Sequence, residues 1–106
     1  MIFQSTRSKH TVSDTRAVLE GIAPDGGLYV DPDLKNRPFD WRQCLTLSPL
    51  GMAEALLHHL LPDFPDMQGL VERAYTGKFD TPELTPLVSA GEQYILELFH
   101  GPTSAF

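Results

Sequence analysis

The densest group of residues that could do chemistry lies near the carboxyl end of the chain, in the loop His100-Gly101-Pro102-Thr103. An apolar run rich in β-formers, residues 95–99, comes before this loop, and small residues follow it. This pattern predicts a strand, a tight turn and the opening of a helix. Backbone N–H groups at such a helix start point at a bound anion, and α/β enzymes place their chemistry at joints of this kind.

Two more segments carry polar groups at turns. Ser5-Thr6-Arg7 follows a short apolar stretch, and its arginine could bind a phosphate bidentately beside the two hydroxyls. Residues 21–30 read Gly-Ile-Ala-Pro-Asp-Gly-Gly-Leu-Tyr-Val, in which proline presets φ, aspartate bonds the backbone ahead and the glycines accept positive φ. The second segment therefore predicts a turn between a helix and a strand, with Asp25 as a turn residue.

All three segments resemble the threonine synthase family. Residues 96–103, Leu-Glu-Leu-Phe-His-Gly-Pro-Thr, with Ala105-Phe106 after them, are similar to the family run that leads straight into Lys-Asp. Residues 21–30 are similar to the family block Gly-Leu-Ala-Pro-Asp-Gly-Gly-Leu-Tyr-Val-Pro, from which Ile22 and Asp31 depart. Residues 5–7 are similar to the Ser-Thr-Arg-Gly opening, with Ser8 where glycine is usual. The segments follow the family order along the whole chain.

The resemblance implies a fold-type II enzyme that uses pyridoxal phosphate and converts O-phospho-L-homoserine and water to L-threonine and phosphate. It places the Schiff-base lysine immediately after Phe106, so it implies no catalytic residue in this chain. We therefore expect the fragment alone to be inactive and to bind no cofactor. The expected partners are the remainder of the catalytic domain and the small-molecule substrate.

The same resemblance assigns candidate site residues. The expected active-site wall consists of His100, Gly101, Pro102, Thr103 and Phe106. Ser5, Thr6 and Arg7 are candidates for contact with the substrate phosphate.

The element pattern predicts an α+β fold with a small sheet and about three helices. We expect an edge strand at residues 1–4, a helix from N-cap Ser13 to Gly21, and a short strand at 28–30. Two more helices are expected, one opening at Ser48-Pro49 and one over residues 66–75, and a hairpin pairs 84–88 with 94–99. We expect residues 1–93 to form the amino-terminal domain and 94–106 to lead into the catalytic domain.

Composition narrows the function classes. The formal net charge is −6, and the eight lysines and arginines are spread along the chain, so we expect neither nucleic acid nor membrane as a partner. The single cysteine excludes an intrachain disulfide and any multi-cysteine zinc site. The first residues lack the order of a signal peptide, so we expect a cytoplasmic protein.

Two alternatives remain open on the sequence. One is a free-standing, non-catalytic interaction domain related to the threonine synthase amino terminus. The other is a small metal-binding or ligand-binding protein that uses its four histidines, His10, His58, His59 and His100. We expect no metal, because neighbouring helical residues such as His58 and His59 point about 100° apart and have no partner at helical spacing.

Overall fold

The computed structural model describes residues 1–103, and the chain divides into two compact units, Met1–Gln68 and Gly69–Phe106. The described residues form three α-helices, two 3₁₀-helices and five strands. This composition confirms the α+β fold class. The domain boundary expected between residues 93 and 94 stays a prediction.

The first unit contains a three-stranded antiparallel sheet. Its strands are β1, Ile2–Ser5; β2, Thr11–Ser13; and β3, Tyr29–Val30, in the order β2-β1-β3. The sequence predicts β1 as an edge strand, whereas it is the central strand of this sheet. The reason is β2, which is too short and too polar to predict and which pairs with β1 through Phe3↔Val12.

The first helix begins and ends where the sequence predicts. Helix α1 spans Asp14–Glu20, and the Ser13 hydroxyl accepts a hydrogen bond from the N–H of Arg16 at 3.2 Å. Gly21 closes the helix at a φ of 71°, and its N–H donates to the Ala17 carbonyl. Local capping hydrogen bonds therefore lie at both ends of α1.

The second helix is capped in the same way. Helix α2 spans Pro49–Leu60, and the Ser48 hydroxyl accepts from the N–H of Gly51 at 3.1 Å. The stretch before it contains two 3₁₀-helices, Leu34–Asn36 and Trp41–Thr46. The first 3₁₀-helix lies in a polar stretch, residues 33–40, that contains Pro38.

Helix α3, Met67–Tyr75, precedes a hairpin in the second unit. The hairpin strands are β4, Leu87–Ala90, and β5, Gln93–Leu96. The predicted bounds, 84–88 and 94–99, are wrong by several residues. A two-residue turn with Gly91 at a φ of 66° sets the register, so Ala90 faces Gln93 and pairing ends at Leu87↔Leu96.

The hairpin is unusually apolar for an exposed element. Tyr94 and Ile95 point to opposite faces of the two-stranded sheet, and they are 73% and 51% exposed. Phe99, just beyond β5, is 65% exposed. Both faces of this hairpin therefore present large apolar side chains, as expected for a strand that is covered on both sides in a larger sheet.

Candidate functional site

His100 lies between two carboxylates of the second unit. Its Nδ1 is 2.5 Å from Asp80 Oδ1, its Nε2 is 3.1 Å from Glu97 Oε1, and its side chain is only 11% exposed. The hydrogen bond to Glu97, together with the bond to Asp80, raises the pKa of His100. The imidazole is thus held in place and its charged form is stabilised, as both carboxylates favour the added proton.

The backbone on either side of His100 is also fixed. The N–H of Asp80 donates to the His100 carbonyl at 3.1 Å, and the N–H of Glu97 donates to the Pro86 carbonyl at 2.9 Å. The resulting His100 cluster consists of His100, Asp80 and Glu97. The sequence predicts His100 but misses Asp80, because Asp80 lies twenty positions away in an irregular segment. Glu97 lies only three positions from His100 in the same run, so it is the contact that the spacing could have revealed.

The loop after His100 borders a small cavity. Gly101 packs against the Phe79 ring, since a Cβ at this glycine would lie 3.4 Å from Phe79 Cε1. Phe79 stacks on Tyr75 with ring centroids 5.8 Å apart. Pro102 and Thr103 line the same largely apolar cavity of about 330 Å³. Three of the five predicted wall residues, 101–103, therefore line one cavity, and His100 directly precedes them, while Phe106 lies outside the described residues.

Ser5 joins the amino-terminal strand to the turn at Asp25. The buried Ser5 hydroxyl donates to Asp25 Oδ1 at 2.7 Å and accepts from the Arg7 N–H at 3.1 Å. Asp25 Oδ1 also accepts from the N–H of Gly27 at 2.9 Å. Asp25 is thus a turn residue, as predicted, and it also binds the first motif.

Thr6 and Arg7 contact the same turn. The Thr6 hydroxyl accepts from the Leu28 N–H at 3.0 Å, and Arg7 Nη1 donates to the Asp25 carbonyl at 3.3 Å. We call the residues Ser5, Thr6, Arg7, Asp25 and Gly27 the Ser5 cluster. Two motifs that the sequence shows separately therefore form one structural group in the first unit.

The hydrogen bonds of the Ser5 cluster affect which of its residues can contact the substrate phosphate. The hydroxyls of Ser5 and Thr6 hold the turn, and the Asp25 carboxylate would repel an anion that approached Ser5. Arg7 is exposed and its guanidinium carries five N–H donors. Phosphate binding by all three residues stays a prediction, and Arg7 is the one best placed for it.

Asp25 is held as a carboxylate. Hydrogen bonds from the hydroxyls of Ser8 and Ser5, and from the N–H of Gly27, lower the pKa of Asp25 to about 2. Each of these donors favours the charged form over the protonated one. Ser8, which departs from the family pattern, contributes to this lowered pKa, and its backbone φ is not positive, so this position does not need glycine.

The other histidines have different partners. His59 Nε2 lies 2.9 Å from the Arg37 carbonyl, and the His10 ring lies 6.2 Å from the Tyr29 ring. Over residues 1–103, no group of three or more His, Cys, Asp or Glu side chains is arranged to hold a metal ion. Cys44, expected to be a small buried residue, is buried.

The length and hydropathy of the helices decide whether any of them could cross a membrane. The helices within the described part of the chain are too short or too polar to cross a bilayer.

Comparison with known proteins matches the chain to one family. The family model described as Threonine synthase N terminus matches residues 2–89. Threonine synthase of Saccharomyces cerevisiae is 37% identical over 119 aligned residues, which cover 99% of this chain and 23% of that protein. Threonine synthase of Eremothecium gossypii is 36% identical with the same coverage.

A relative with a different name is similar at nearly the same level. Threonine synthase-like 1 of Mus musculus is 34% identical over 99 residues, which cover 87% of this chain and 13% of that protein. The chain thus spans less than a quarter of the length of each of these three relatives. On the match over residues 2–89 and these identities, the chain belongs to the threonine synthase N-terminus family.

Proposed function

We propose that this chain is the amino-terminal region of an enzyme that converts O-phospho-L-homoserine and water to L-threonine and phosphate. The observation that carries the proposal is the 37% identity to a threonine synthase across 99% of the chain. The match of residues 2–89 to the family model supports it independently. Because the chain spans only 23% of that relative, the activity belongs to a longer protein.

We expect the described residues not to bind the cofactor covalently. Lys9, Lys35 and Lys78 are exposed, and none of them lies in the joint at residues 100–103. When bound in the full-length enzyme, pyridoxal phosphate supplies an electron sink. The role we assign to this chain is to shape one wall of the site and to fix the course of the backbone at residues 100–103.

How these residues act follows from their surroundings. Pro102 restricts the backbone of the loop, and Gly101 packs on Phe79. A rigid loop holds whatever follows it within a narrow range of positions, and a misplacement of about 1 Å can cost a hundredfold in rate. The loop would therefore contribute to catalysis by orienting groups rather than by transferring a proton.

The exposed apolar side chains of the hairpin favour a partner that covers this part of the second unit. Tyr94, Ile95 and Phe99 are more than half exposed and lie on both faces of the hairpin or just beyond it. Covering them removes apolar surface from water, which is favourable by about 25 cal/mol per Å². We propose that the remainder of the catalytic domain covers this hairpin.

We also propose that the full-length enzyme works in the cytoplasm.

Product analysis of the full-length protein tests the proposal. The protein is purified, supplied with pyridoxal phosphate and O-phospho-L-homoserine, and assayed for L-threonine and inorganic phosphate. We expect both products in equal amounts. The matched controls are L-homoserine as substrate, which lacks the leaving phosphate, and the 106-residue chain alone, which we expect to be inactive. A folded full-length protein that forms no threonine would contradict the proposal and favour an interaction domain.

A further inference from the structure

Both ring nitrogens of His100 face carboxylate oxygens. Nδ1 lies 2.5 Å from Asp80 and Nε2 lies 3.1 Å from Glu97. An ionised carboxylate only accepts hydrogen bonds, so each nitrogen must carry a proton to make its bond. The neutral ring has one N–H and would leave one of the two contacts without a donor. The geometry therefore fits the imidazolium form, which donates at both positions.

The two carboxylates come from different segments of the second unit. Glu97 directly follows β5 and its backbone is tied to Pro86, whereas Asp80 follows α3. Asp80 holds His100 twice, through its side chain and through its N–H to the His100 carbonyl at 3.1 Å. The imidazole thus connects two segments at the residue that begins the loop.

The second residue of the loop, Gly101, is also held in place. Gly101 lies against the ring of Phe79, and Phe79 directly precedes Asp80 in the chain. Charge on the imidazole, backbone bonding and ring packing therefore all act at the first two residues of the loop. Loss of the imidazole charge would weaken two of the bonds that hold this point.

We propose that His100 is a positioning residue, held as an imidazolium by Glu97 and Asp80, which fixes the loop at residues 101–103. His100 is then not a general acid or base, because both of its nitrogens are engaged by carboxylates. The consequence for catalysis rests on the proposed function, in which this loop borders the active site. The pKa of His100, raised by the bond to Glu97 and by Asp80, is consistent with this role.

The first test uses the 106-residue chain and needs no activity. Nitrogen NMR of the His100 ring is followed against pH in the wild type, in Glu97→Gln and in Asp80→Asn. Backbone order parameters of Gly101 and Thr103 are measured in the same samples. Glu92→Gln is the matched control, since it removes the same charge from the exposed hairpin turn of the same unit.

We expect both ring nitrogens of His100 to be protonated at neutral pH in the wild type. The pH midpoint of the His100 titration should fall in Glu97→Gln and in Asp80→Asn, and it should stay unchanged in Glu92→Gln. Order at Gly101 and Thr103 should fall as the ring loses its proton. A ring with one proton at neutral pH, or loop order that does not depend on its protonation, would overturn the proposal.

The second test uses the full-length enzyme with O-phospho-L-homoserine. The charged groups that face the imidazole are Glu97 and Asp80. We therefore expect kcat to fall as pH rises through the midpoint found by NMR, and Glu97→Gln to move that limb to lower pH with KM changed less than about twofold. If the fall of kcat occurs at the same pH in Glu97→Gln as in the wild type, the proposed role of His100 in catalysis is overturned. An inactive full-length protein would contradict the proposed function, whereas the NMR result would still decide the role of His100.

Discussion

The Ser5 hydroxyl donates a 2.7 Å hydrogen bond to the Asp25 carboxylate and so joins two motifs that lie twenty positions apart. The bond is possible because Gly27 has no side chain. A Cβ at Gly27 would lie 2.2 Å from Ser5 Oγ and 3.0 Å from Asp25 Oδ1. The glycine in the second motif is therefore explained by close approach of the first motif.

Replacement of Gly27 by alanine tests this explanation. We expect Gly27→Ala to lower the free energy of unfolding by about 1–3 kcal/mol, because the added methyl group forces Ser5 and the turn apart. Urea denaturation of the chain provides the measurement. In a Ser5→Ala background the same change should cost less, since the nearest clashing atom is gone. If the losses in free energy of unfolding of the two single variants simply add in the double variant, Ser5 and Gly27 are not coupled.

Asp25 should make stability depend on pH in the acid range. A pKa lowered to about 2, from the usual 3.8, gives a contribution that is present above 3.8 and is lost as pH falls toward 2. We expect the melting temperature of the wild type to drop across this window and that of Asp25→Asn to drop less. Thr6→Val is the control, because the Thr6 hydroxyl bonds Leu28 and not Asp25. Equal acid sensitivity in wild type and Asp25→Asn would argue against the bonds described for Asp25.

Asp14 is a buried carboxylate whose partner is distant in sequence. It is 0% exposed, and its Oδ2 accepts a 2.8 Å hydrogen bond from the N–H of Asp63. We expect Asp14→Ala to lower the free energy of unfolding by about 1–3 kcal/mol, because the Asp63 N–H loses its acceptor. The exposed Asp33→Ala should change the free energy of unfolding by less than about 0.5 kcal/mol in the same denaturation experiment. Equal costs for the two variants would contradict the structural role of Asp14.

The elements that sequence analysis predicts well are set by local chemistry. Ser13 and Ser48 cap their helices through N–H groups three residues ahead, and Gly21 closes α1 at positive φ. These interactions involve neighbours in the chain, so residue type and spacing reveal them. The turn at Asp25 is predicted for the same reason.

The features that sequence analysis misses depend on distant partners. Strand β2 forms because β1 is available to pair with it, which three residues alone do not reveal. Asp80 belongs to the His100 cluster only because the fold brings residue 80 beside residue 100. Acidic residues of this kind are common on protein surfaces, and nothing in the local sequence marks Asp80.

Arg7 offers a test of substrate contact in the full-length enzyme. If Arg7 binds the substrate phosphate, Arg7→Ala should raise KM for O-phospho-L-homoserine, by about tenfold for a lost contact of about 1.4 kcal/mol, with kcat little changed. Arg42→Ala is the control, since Arg42 lies over the exposed Trp41 ring at 4.6 Å. An unchanged KM in Arg7→Ala would restrict Arg7 to its bond with the Asp25 carbonyl.

The central claim is that the loop at residues 100–103 forms part of a threonine synthase active site. Its most direct test is steady-state phosphate release by the full-length enzyme, measured beside a thermal melt for His100→Ala, Thr103→Ala and the control Thr76→Ala. Thr76 directly follows α3 in the same unit as the loop. We expect kcat to fall by up to about a hundredfold in the two loop variants while the protein stays folded at the assay temperature, and to stay near wild type in the control. Near-wild-type kcat in both loop variants would contradict the account and leave the loop as a structural turn.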